Sequence, residues 1–209
     1  GIHGVYPGLR ISNQSSYTDN TSAMNVASGS PVQWMSGAES FFLRAEAKLR
    51  WDLGATSAKD LYEQGIRTSF AERGVGGADA YIANSEAKPA DFKDNSGGRR
   101  DASAVSTITI AWNDNANFEQ KLERIITQKY LAIFPDGQEA WSEFRRTGYP
   151  KLFTINYNAS SGAVSTDTQI RRLRFPTDEY SQNAANVQAA VTLLGGQDNG
   201  NTKLWWDKK

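Results

Sequence analysis

The residues best suited to chemistry fall in one stretch, "DGQEAWSEFRRTG" at 136–148, where Glu139 and Glu143 stand one helical turn apart. Two carboxylates at that spacing share a helix face, which in principle lets one serve as acid and the other as base. Glycosidase carboxylates, however, project from different elements across a cleft, because the sugar must lie between them. The same stretch carries Arg145 and Arg146, a pair able to hold a phosphate. With acids so near, salt bridges are the expected arrangement: Glu143 bonds Arg146 one turn on, while Trp141 and Phe144 pack inward. The expected role is scaffold, with no catalytic residue.

The rest of the chain offers little from which to build a catalytic centre. Its 209 residues contain no cysteine, which excludes disulfides, thiolate metal sites and a thiol nucleophile. A lone histidine, His3, gives no basis for a histidine metal site or a serine–histidine triad. The "NDN" run at 113–115 lacks the regular spacing of a calcium loop, so no metal and no cofactor are expected. Lysine plus arginine total 23, as do aspartate plus glutamate, so bulk charge gives no reason to bind nucleic acid or an anionic membrane. No run approaches the apolar length of a membrane span. The chain begins at Gly1 without a signal peptide and reads as trimmed.

Positioning falls to helices. Residues 1–33 are rich in Ser, Asn, Gly and Thr and read as irregular loop. "SGAE" from Ser36 is a capping box opening a helix with Ala38, Phe42, Ala45 and Leu49 at helical spacing, ended by Gly54. "SAKD" from Ser57 opens a second, whose apolar face of Leu61, Tyr62, Ile66 and Phe70 runs to Gly74. The short connection predicts an antiparallel hairpin. A short helix is expected near 79–84, and "STITIAW" at 106–112 fits either a strand or an extended loop. Phe118, Leu122, Ile125, Ile126, Tyr130 and Ile133 form one apolar stripe of a long helix, stopped by Pro135. The opening stretch is the next helix. "KLFTINYN" and "TQIRRLRFP" are expected to pair as a small β-hairpin. A last helix spans 183–194, and "KLWWDKK" closes the chain.

The run "KLERIITQKYLAIFPDGQEAWSEFRRTGYPKL" resembles the signature segment of the SusD/RagB family of outer-membrane nutrient-binding lipoproteins. The resemblance extends in order through "FFLRAEAKLRWDLG", "LYEQGIRTSFAERGV", "RRLRFPTDEYSQNAANVQAA" and "TKLWWDK". It implies a mainly α fold of tetratricopeptide-type helix hairpins with long loops, to which the small β-hairpin is added. It further implies that residues 1–209 form the C-terminal part of a SusD-like domain, without the N-terminal lipoprotein cysteine and first helical repeats. By the same resemblance the protein is a surface-exposed lipoprotein of the outer membrane in Bacteroidetes. It would capture a glycan without cleaving it and deliver it to a SusC-like TonB-dependent transporter. Contact with the membrane would be only through the missing lipid anchor. The trait "QEAW…RRTGYP" is implied to be structural, in agreement with the scaffold reading.

No binding residue transfers from the resemblance, so the sugar site is sought from chemistry. A pyranose needs a flat aromatic surface with amide or charged groups around it, and such sites favour loops. The loop aromatics Trp112, Tyr17, Trp34, Tyr6 and Tyr81 are the candidates. Trp112 precedes Asn113, Asp114 and Asn115, while Tyr17 has Asn13, Gln14, Asp19 and Asn20 nearby. Trp51 and Trp141 are expected in the core, and Trp205 with Trp206 as a C-terminal packing anchor. Two other functions compete: a helical-repeat interaction scaffold without sugar affinity, marked by apolar grooves and no exposed loop aromatics, and a glycoside hydrolase using Glu139 and Glu143.

Overall fold

Ser36 caps the first helix, and the contacts around it join that helix to the next. The computed structural model describes residues 22–23, 27–94, 100–155 and 158–207. Among these, seven helices occur in order: α1 (Gly37–Trp51), α2 (Ala58–Glu72), α3 (Ala78–Ile82), α4 (Phe118–Ala132), α5 (Gly137–Thr147), α6 (Thr177–Gln182) and α7 (Ala184–Leu194). The chain divides into two units, one of Asn25–Ala90 with Ala104–Leu152, the other of Gly1–Met24, Asp91–Ser103 and Phe153–Lys209.

In the first unit the hairpin forms as its spacing predicts. The Ser36 hydroxyl oxygen accepts from the Ala38 amide, satisfying one orphan donor of the helix end. The capping box does not close. Glu72, from the far end of α2, instead accepts from the Ser36 hydroxyl and the Gly37 amide, each at 2.7 Å. That bridge joins the start of α1 to the end of α2, so the pair is antiparallel. Between them, Phe42 packs edge-on against Tyr62 at 6.3 Å, with Ala38, Ala45, Leu61 and Ile66 buried around it.

Gly65 lets the two helices of the hairpin approach closely. A Cβ there would lie 2.8 Å from the Phe42 ring, closer than carbon atoms can sit. Gly65→Ala is therefore expected to cost about 1–3 kcal/mol, the range for overpacking a core. Chemical denaturation measures it, and unchanged stability would show that the helices can spread freely.

Helix α1 ends at Trp51, a turn earlier than Gly54, through Asp52 in the left-handed region at φ 55°. Trp51 is 66% exposed, against the expectation of a core residue. It follows Leu49 by two positions, which places it across the helix from the apolar face. Helix α4 opens with a closed capping box between Asn117 and Gln120, and its buried stripe of Leu122, Ile125 and Ile126 joins the α1–α2 core. Arg50 of α1 lies over Phe118, and Lys129 reaches Glu39, so α4 runs antiparallel to α1. Tyr130, placed on the stripe from sequence, is at its exposed edge.

The segment "STITIAW" settles as an extended loop. Its carbonyls are taken by side chains: Tyr62 donates to Ile110 O at 2.6 Å, and Arg124 donates to Thr109 O and Ala111 O at 3.2 Å each. With its acceptors occupied in this way, the segment has no ladder to join. Phe144 of α5 is buried as expected, but Trp141 is only half-buried, with the Arg145 guanidinium stacked 3.6 Å over its ring.

The second unit contains α6 and α7. The sequence predicts only the latter; Pro176 starts a separate short helix that Asn183 ends. The β-hairpin expected from 151–158 and 168–176 is absent among the described residues. One backbone bond, Ile155 N to Thr166 O, and an isolated Ser165–Gln169 bridge take its place. The reason lies in Arg171 and Arg172, which are buried in ion pairs with Asp207 and Asp198. Those pairs, with the Arg171 amide bonded to Gly200 O, commit the second would-be strand to the C-terminal loop. Asp198 also accepts from the Phe175 amide at 3.1 Å and the Tyr180 hydroxyl at 2.6 Å. The C-terminal tryptophan pair is not the anchor expected of it: Trp205 is 83% exposed and Trp206 half-buried, whereas Asp207 is buried.

Candidate functional site

Glu139 and Glu143 lie on one face of α5, as the spacing requires, and that face meets Lys129. This lysine is buried in the stripe of α4, four residues after Ile125, with only 1% of its side chain exposed. Its Nζ lies 2.8 Å from Glu139, 3.2 Å from Glu143 and 3.1 Å from Glu39. Arg146 continues the network, meeting Glu143 at 2.7 Å and gripping Glu46 of α1 with two bonds of 2.6 Å each. Arg50 reaches the same Glu46 at 2.6 Å. Four carboxylates and three cations from α1, α4 and α5 thus share one cluster.

Burial opposes the charge on Lys129, but Glu139, Glu143 and Glu39 outweigh it and raise its pKa above the ordinary lysine value. Burial likewise opposes ionisation of Glu46, and the bonds from Arg146 and Arg50 overcome it, lowering that pKa. The lysine's contribution to stability is full below the unfolded lysine value and is lost as pH rises through the raised one. The glutamate's is full above the unfolded carboxylate value and is lost as pH falls through the lowered one. At neutral pH both contributions are in place. A general acid must instead hold a proton near the working pH, with room for substrate beside it. Here the two carboxylates on α5 are both paired with one buried lysine. Sequence spacing revealed the α5 face but not its partners. The signal for Lys129 was present, as a lysine at an inward position of an otherwise apolar stripe.

The aromatic candidates separate clearly. Trp34 is 93% exposed, in a segment where Val32 and Met35 are also exposed. The Ser36–Glu72 bridge fixes the chain immediately after it. Trp112 is half-buried, with its ring 5.3 Å from Tyr62 and its Nε1–H donated to Asp114 at 3.0 Å. Tyr81 packs its ring on Phe70 at 5.3 Å, and its hydroxyl accepts from Gln128 Nε2 at 3.0 Å. Both its ring and its polar end are engaged within the fold. Tyr6 and Tyr17 lie outside the described residues. The three described candidates are therefore not equivalent: Trp34 alone of them presents nearly its whole ring to solvent. Among the described residues no cluster of three or more His, Asp or Glu side chains is arranged to hold a metal ion.

The family model described as "SusD-like: Susd and RagB outer membrane lipoprotein" matches residues 1–207. The chain belongs to the SusD-like family. Among solved structures, a SusD homolog from Bacteroides uniformis is 42% identical, with a TM-score of 0.88, over 100% of this chain and 45% of its own. A SusD homolog from Bacteroides thetaiotaomicron is 40% identical, with a TM-score of 0.87, over the same shares. A chitin-binding SusD homolog from Flavobacterium johnsoniae is 48% identical, with a TM-score of 0.75, over 81% of this chain and 35% of its own. This SusD-like chain thus spans less than half the length of each of these relatives. No curated protein matches the sequence. The helical fold is that of the family, and no described helix is long and apolar enough to cross a membrane.

Proposed function

We propose that this SusD-like chain forms part of an outer-membrane lipoprotein that binds a glycan without cleaving it and passes it to a SusC-like TonB-dependent transporter. The exposed ring of Trp34 carries the site assignment. Stacking a pyranose on it would remove apolar area from water at a position where no core contact is lost. The remaining surface of Trp112, next to Asn113 and Asn115, is the second candidate contact, followed by Tyr17 and Tyr6. Tyr81 is assigned to the scaffold, because the fold already uses both ends of its side chain. Non-catalytic binding is supported by the ion pairs that occupy Glu139 and Glu143. An interaction scaffold without sugar affinity calls for no exposed loop aromatics, and the exposed Trp34 speaks against it.

The 48% identity to a chitin-binding homolog makes chito-oligosaccharides the first ligands to try, within a wider glycan panel. Trp34→Ala is expected to weaken binding at least about tenfold, the scale of one apolar platform, while the melting temperature stays near wild type. Isothermal titration of the full-length protein measures the first quantity and calorimetry the second. Unchanged affinity would remove Trp34 from the site and return attention to Trp112. Glycan cleavage that disappears in Glu139→Gln with Glu143→Gln would overturn the binding-protein reading.

A further inference from the structure

Helix α5 is joined to its neighbours differently from the other helices of its unit. The described apolar core draws on α1, α2, α3 and α4, and on Tyr149 beyond α5, but on no residue of α5 itself. The contacts of α5 with α1 and α4 described above are ionic: Glu139 and Glu143 on Lys129, and Arg146 on Glu46. Its two ends are each fixed by a local contact. Asp136 caps the first turn, Gly148 ends the helix at φ 76°, and Arg73 of the α2 terminus holds the preceding turn through Ala132 O and Phe134 O. An isolated helix of eleven residues does not persist in water, so α5 depends on these attachments to stay folded.

We infer that α5 is held by an ionic latch and opens as a unit ahead of the α1–α4 core when the latch is neutralised. The buried Phe144 contributes to the attachment too; the latch is the part that charge controls. The groups that face it are Glu39, Glu46 and Arg50 from α1, Lys129 from α4, and Glu139, Glu143 and Arg146 from α5 itself. Protonating Glu46 weakens the hold of Arg146, whereas the apolar packing of Phe42, Ile125 and Ile126 does not respond to protons. Acid should therefore separate two events that a single cooperative core would show as one.

Amide hydrogen exchange on the full-length protein reads both events at once, with rates corrected for intrinsic pH dependence. Glu46→Gln, which keeps the shape of a protonated glutamate, is expected to speed exchange within 138–147 at least about tenfold at neutral pH. Amides of the α1 and α4 core should change less than about twofold. In wild type, lowering the pH should release the α5 amides before those of α4. If α5 and α4 lose protection together in both experiments, or α5 exchange is unmoved by either, α5 belongs to the common core and the latch is overturned. Should Glu46→Gln fail to fold, the order of release in the wild-type acid titration decides alone.

Discussion

Replacing Lys129 with methionine is expected to destabilise the protein by about 3–5 kcal/mol, the range for removing one partner of a buried ionic group. Methionine roughly preserves the volume and unbranched shape of the lysine stem, so the loss would not come from a cavity. It would come from Glu39 and Glu143, which are buried and would lose the ammonium that now compensates them. Arg146 remains beside Glu143 but is already committed to Glu46. Urea denaturation, with the unfolding of α1 and α4 followed separately from that of α5 by hydrogen exchange, provides the test. A loss below about 1 kcal/mol would mean that the carboxylates find other partners or take up protons cheaply, and the cluster would lose its structural role.

Asp207→Ala should have an effect of the same size, about 3–5 kcal/mol, for the same reason in the second unit. Arg171 is buried against Asp207, and both its Nε and Nη2 donate to that carboxylate. Truncating the acid leaves the guanidinium in a dry site without its charge partner. Trp205→Ala, two residues away, is expected to shift stability by no more than about 0.5 kcal/mol, because the ring is largely in solvent. If the tryptophan variant proved the more damaging, the C-terminal anchor would be aromatic after all, and the buried ion pair a secondary feature.

Most helix positions, though not that of α6, were legible in the sequence because they rest on local rules: apolar spacing, a capping side chain, a glycine or proline beyond the end. The α1–α2 hairpin, the α4 stripe ending before Pro135 and the short α5 all follow from residues within a turn or two of one another. The ion pairing within "QEAW…RRTG" was also legible, since Glu143 and Arg146 stand one helical turn apart. The absence of cysteine and the lone histidine narrowed the chemistry further, without any knowledge of shape.

What only the tertiary structure decided are the choices between partners distant in sequence. Glu39 lies at the position of a capping-box glutamate, yet it turns to Lys129, while Glu72 from the next helix takes over near Ser36. Arg171 and Arg172 occur in a strand-like sequence, but their burial against Asp207 and Asp198 prevents the hairpin. Trp34 and Trp112 are both loop tryptophans in the sequence, and only folding places one in solvent and the other against Tyr62. A capping or spacing rule ranks local partners by proximity along the chain. A buried charge takes whichever opposite charge the packed helices bring within about 3–4 Å, because leaving it unpaired costs more than any local bond returns.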